Sequence, residues 1–148
     1  VRLAGRFETV GEHPRVIVDV AHNPQAAAGL AENLDAMPCA GKTLAVVGML
    51  ADKDIAGALA MLAGRVDVWL VAGLDVPRGA PAGTVARAVA GLGGNVEVFD
   101  SPEAAFACAV GRAGENDRIA AFGSFHTVAA VLRAVAARGD SPLPSGRS

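Results

Sequence analysis

The chain has 148 residues, a length that suits one domain able to bury its own core. Hydrophobic residues make up 52% and charged residues 19%, which excludes a disordered chain, and aromatics at 4% leave Ala, Val, Leu and Ile to build the interior. A net charge of −2 excludes the basic stripe that nucleic-acid backbones require, and no apolar run reaches the roughly 18 residues of a membrane span.

Val1 opens the chain without an initiator Met, which fits either processing or a domain excised from something longer, and without the apolar stretch of a signal peptide, so a cytoplasmic address is expected. Arg6-Phe7-Glu8-Thr9-Val10 alternates like a short strand, and Arg15 to Val20 is β-branched at its centre, like a buried parallel strand. Only Gly11 to Pro14 lie between the two, a spacing for a hairpin rather than a helical crossover. Asn23-Pro24 opens a helix, with Asn as N-cap, Pro in the first turn and the stripe Ala27, Leu30, Ala31, Leu34. Cys39 follows; it and Cys108 lack metal-ligand spacing and read as two buried thiols.

Thr43 to Met49 is the next strand. Asp52 to Leu62 reads as a helix with acidic residues at its positive end and the stripe Ile55, Ala58, Leu59, Leu62. Asp67 to Ala72 is a strand, and a Gly- and Pro-rich loop over 73–83 leads into a helix from Ala82 to Ala90. Val96 to Phe99 is a strand, and Ser101-Pro102-Glu103 starts a helix that turns Ala105, Cys108 and Ala109 inward. Arg118 to Phe122 and Ser124 to Ala137 close the pattern with a strand and a helix. Gly139 to Ser148 is a Gly-, Pro- and Ser-rich tail expected to fray. The expected fold is α/β: a Rossmann-like three-layer sandwich over 1–138, its sheet mostly parallel with one antiparallel N-terminal edge strand.

In such sheets ligands bind beyond the carboxyl ends of the strands. Three strand-to-helix joints there are unusually polar: Asp19 to Pro24, Leu50 to Asp54 and Phe122 to Thr127. Free N–H groups at helix N-termini favour anions, so the three joints predict a phosphate- or carboxylate-binding rim. Asp19 and His22 alone are too few for a metal site. Ser124 and His126 are two apart on one helix and do not face each other, which argues against a serine nucleophile; Ser124 reads as an N-cap. There is no Gly-x-Gly-x-x-Gly after the first parallel strand and no P-loop anywhere, so the chain cannot cradle ATP phosphates with a P-loop of its own. The residues by themselves leave open a nucleotide-binding or regulatory module, an interaction domain, or part of a larger enzyme.

Read together, the motifs narrow this. Asp19-Val20-Ala21-His22-Asn23-Pro24 resembles the Asp-x-Ala-His-Asn-Pro signature of the Mur ligase and folylpolyglutamate synthase superfamily. Gly5-Arg6-Phe7 resembles the Pro-Gly-Arg-Phe segment that opens its C-terminal domain, with Ala4 in place of Pro. Asp52-Lys53-Asp54 and Phe122 to Val128 resemble segments of the folate branch, the dihydrofolate and folylpolyglutamate synthases.

The resemblance implies an ATP-dependent ligase that joins L-glutamate to dihydropteroate or a folate through an acyl phosphate. ATP and Mg2+ would be held mainly by an N-terminal ATPase domain absent from this chain, which becomes this domain's partner. Arg6 and Asp19 would contact the nucleotide. His22 would be catalytic, near the transferred phosphate and the glutamate; Ser124, Lys53 and His126 would help bind glutamate. No metal ligand, nucleic acid or membrane is expected on this domain, and alone it should be inactive. The rivals are the C-terminal domain of a cell-wall Mur ligase and a stand-alone anion- or nucleotide-binding module.

Overall fold

The computed structural model describes residues 7–12 and 14–138. Six strands and five helices alternate among them: β1 (Glu8–Glu12), β2 (Arg15–Asp19), α1 (Pro24–Ala36), β3 (Thr43–Gly48), α2 (Ile55–Ala60), β4 (Val68–Ala72), α3 (Ala82–Gly91), β5 (Val96–Phe99), α4 (Pro102–Arg112), β6 (Arg118–Gly123) and α5 (Phe125–Ala137). The strands form one sheet in the order β1-β2-β6-β3-β4-β5. Only the β1–β2 pair is antiparallel, and the other four pairings are parallel.

Alternation along each strand divides the interior in two. Ile17, Ala45, Val47, Trp69, Val71 and Phe122 face α1, α2 and α3. Val16, Val18, Val46, Leu70, Ile119 and Ala121 face α4 and α5. Helices meet their clusters with apolar stripes: the predicted Leu30 and Leu34 on α1 and Leu59 on α2, and Val128, Val131 and Val135 on α5. These side chains are nearly all small and aliphatic, so the helices lie close on the sheet. Trp69 and Phe122 supply the bulk on the first face, in an edge contact with ring centroids 6.3 Å apart.

Several expectations need correction. The first strand runs Glu8–Glu12 rather than from Arg6, and Arg6 lies outside the described residues. Its ladder shifts between Thr9 and Gly11 and continues to Glu12 opposite Arg15, so pairing reaches into the segment read as a connection. The helix expected over 52–62 is only Ile55–Ala60. Asp54 is its N-cap, accepting from the Gly57 N–H at 3.0 Å, so Asp52 and Lys53 belong to a preceding turn. Leu62 is still fully buried beyond the helix end. Cys39 and Cys108 are only partly buried. The Cys39 thiol is 3.5 Å from the Asn116 carbonyl at the sheet's N-terminal edge, and Cys108 lies at the margin of the second cluster.

Candidate functional site

Sheet topology brings the three polar joints together. β2, β6 and β3 are neighbours, and their carboxyl ends are level: Asp19 pairs with Phe122, Val47 with Phe122 and Gly48 with Gly123. From that edge β2 and β3 lead to helices on one face, and β6 leads to α5 on the other. A crevice where adjacent strands send their chains to opposite faces is the usual ligand position in such a sheet.

At the centre the chain is packed so tightly that position 123 requires glycine. Gly123 has φ +121°, and a Cβ there would overlap the Gly48 carbonyl. That carbonyl accepts from the Ser124 N–H and the Thr127 hydroxyl, both at 2.9 Å. Ser124 is buried, and its Oγ accepts from the Thr127 N–H at 3.3 Å, the N-cap bond expected of it. Its hydroxyl thus shapes the mouth of α5 from beneath. The first-turn N–H groups outside the helical ladder belong to Phe125 and His126, and both residues are exposed.

The other two joints offer fewer donors than the sequence implied. On α1 the Asn23 side chain takes the Ala26 N–H at 2.8 Å, and Pro24 has none, which leaves Gln25. On α2 the cap takes Gly57, and the helix is only six residues long. What these joints contribute instead is side-chain chemistry. His22, just ahead of the α1 cap, is partly buried and within electrostatic reach of Lys53 and Asp52. Burial pushes the imidazole pKa below its ordinary value, the Lys53 ammonium pushes the same way, and the Asp52 carboxylate opposes them. His22 is therefore held toward its neutral form, able to donate from one ring nitrogen and accept at the other.

The remaining expected residues lie apart. Asp19 is half-buried at the end of β2 and lines a groove of about 280 Å3 with Phe7, Ala26 and Asn33. His126 opens to the opposite side, into a cavity of about 420 Å3 between α5, the start of α4 and the loop after β4. Lys53 lies within electrostatic reach of His22; His126 faces away from both. No group of three or more His, Cys, Asp or Glu placed to hold a metal occurs among the described residues.

Sequence reading missed the role of the loop after β4. It is tied to the β3–α2 turn by Ala51 N–H to Arg78 O at 2.7 Å and Ala80 N–H to Met49 O at 2.9 Å. Leu50 and Gly79 form an antiparallel bridge, and Arg78 Nη1 is 2.6 Å from Asp52 Oδ2. The only local signal was a Pro-Arg-Gly turn opposite an Asp-rich one, and pairing across 26 positions cannot be read from spacing.

Comparison with known proteins places these features in context. The family model for the Mur ligase, glutamate ligase domain matches residues 5–125. Dihydrofolate synthase/folylpolyglutamate synthase of Escherichia coli strain K12 is 48% identical over 136 residues, which cover 92% of this chain and 31% of that protein. The solved structure of Escherichia coli FolC in complex with DHPP and ADP superposes with a TM-score of 0.84 at 48% identity, over 93% of this chain and 32% of that one. Bifunctional folylpolyglutamate synthase/dihydrofolate synthase of Yersinia pestis, complexed with AMPPNP and Mn, gives 0.84 at 47% identity over 91% and 32%. The chain thus spans about a third of the length of these relatives.

Proposed function

Because the chain belongs to the Mur ligase, glutamate ligase domain family, we propose that it is the glutamate-handling part of an ATP-dependent ligase that extends dihydropteroate or a folate. The observation that carries this reading is the convergence of three joints at the level ends of β2, β6 and β3. They put a neutral-leaning histidine, a lysine and a helix N-terminus on one rim.

Glutamate brings two carboxylates and an amine to such a rim. The N–H groups of the exposed residues Phe125 and His126 at the start of α5 suit a carboxylate, with Ser124 preorganising them; the His126 side chain, which opens to the other side, is the weaker candidate. Lys53 supplies a compact positive charge near His22. A neutral imidazole can accept a proton from an incoming ammonium, or donate to an acyl-phosphate oxygen, without first losing a charge of its own. Asp19, and Arg6 ahead of the described strand, are the proposed nucleotide contacts.

This chain carries no P-loop sequence, so a separate ATPase domain N-terminal to it is the proposed main holder of ATP and Mg2+. When bound there, they would supply activation of the acceptor carboxylate. Residues of this chain would orient glutamate and exclude water once the two domains close.

The test is to mix this chain with a separately expressed ATPase domain, ATP, magnesium, glutamate and dihydropteroate or a reduced folate. ADP release should need both parts and fall on the order of 10²-fold with His22→Ala. Activity of this chain alone, or full activity of His22→Ala in the mixture, would sink the reading.

A further inference from the structure

Arg78 has no part in the reading above, yet four contacts bring its loop to the rim. Its carbonyl accepts from Ala51, its guanidinium is 2.6 Å from Asp52, and on either side Leu50 bridges Gly79 and Ala80 bonds to Met49. Gly79 permits the approach, since a Cβ there would overlap the Leu74 carbonyl, and its N–H closes a tight turn onto Val76 O at 2.9 Å. The loop after β4 thereby grips both backbone and side chain of the turn that carries Lys53. That turn has few other ties: Lys53 N–H reaches Leu50 O at a long 3.3 Å, and Ile55 N–H reaches Lys53 O at 2.9 Å.

We propose that Arg78 is a positioning residue for the His22 side of the rim: it fixes the Asp52-Lys53-Asp54 turn, whose two unlike charges act on His22 across space, and keeps the Asp52 carboxylate engaged. Its meaning for catalysis rests on the proposed ligase reading; the placement itself does not. The charged groups acting on His22 are Lys53 and Asp52, with Asp19 three positions earlier at the end of β2. Arg78 meets one of these directly. Its pair with Asp52 is exposed on both sides, so it adds little to overall stability and the variants should fold.

The experiment is an NMR titration of the His22 imidazole in this chain, as wild type, Arg78→Ala, Arg78→Lys, and Asp52→Asn combined with Arg78→Ala. With Arg78→Ala, an Asp52 carboxylate released from its guanidinium should draw a proton toward His22 and raise its midpoint by ~0.3 pH unit. Arg78→Lys should recover most of the wild-type midpoint, and the double variant should return it to the wild-type value or below. An unchanged midpoint in folded Arg78→Ala, or a double variant that stays as high as the single, overturns the proposal. Should Arg78→Ala not fold, Arg78→Gln replaces it with the same expected rise. Ligase activity plays no part in this readout, so failure of the domain-mixing assay would count against the proposed function alone. In an active mixture, the acid limb of the kcat/KM profile should move up in pH with the same variants.

Discussion

Two side chains tie the charge state of this domain to its stability. His22 has a pKa below its ordinary value, through burial and then Lys53. Its proton is therefore bound more readily in the unfolded chain, and the folded state loses ground as pH falls through the ordinary imidazole value and on through the depressed one. Urea unfolding at pH 7.5 and pH 5.5 should show this: the wild type should lose more stability between the two than His22→Gln does. Asp117 works at the opposite edge of the sheet. Its carboxylate accepts the Lys42 N–H and the Gly114 N–H, both at 2.7 Å, and these bonds hold its pKa below the carboxylate norm. That contribution is present above the ordinary carboxyl value and lost as pH falls through the lowered one. Asp117→Asn keeps only one acceptor oxygen and should cost about 1 kcal/mol at neutral pH, with the gap to wild type narrowing in acid. His22 could be named from sequence because its neighbours spell a motif. Asp117 could not, because its partner Lys42 is 75 positions away.

Among the elements, β6 is tied down by side chains at both ends. At its start the Arg118 guanidinium is buried without a carboxylate. It bonds the Thr43 hydroxyl at 2.8 Å, the Leu34 carbonyl at 3.1 Å and the Met37 carbonyl at 2.9 Å, and so caps α1 from a different part of the chain. Arg118→Met should destabilise by about 1–3 kcal/mol in urea melts, since it removes three hydrogen bonds and takes the partner from the Met37 carbonyl, while Leu34 O keeps the Met37 N–H at 3.2 Å. At its end, Thr127→Val removes the bond to Gly48 O while keeping the shape, and should cost about 1 kcal/mol. All six strands and the long helices were legible in the sequence: the helices carry apolar stripes, and the strands are β-rich runs, whether buried throughout like β3 and β6 or without a buried residue like β5. The second helix was misjudged because Ile55 to Leu62 keeps a helical stripe past the helix end, while the cap that sets its start is a side-chain choice among Asp52 and Asp54. The grip of the 73–81 loop on the β3–α2 turn was illegible because it rests on a backbone bridge between distant residues.

At the scale of the whole molecule, the sequence predicted the three layers and the single antiparallel edge, and the structure has them. It could not predict strand order, and strand order decides which joints become neighbours. Without β6 between β2 and β3, the segments holding His22 and Ser124 would not share a rim. That placement has a further consequence for how the domain is made. The ribosome emits β2 and β3 long before β6, so the nascent sheet is held open at its middle until the last quarter of the chain emerges. Until then two strand edges wait unpaired, and a stop codon before Arg118 should leave an insoluble fragment rather than a smaller domain.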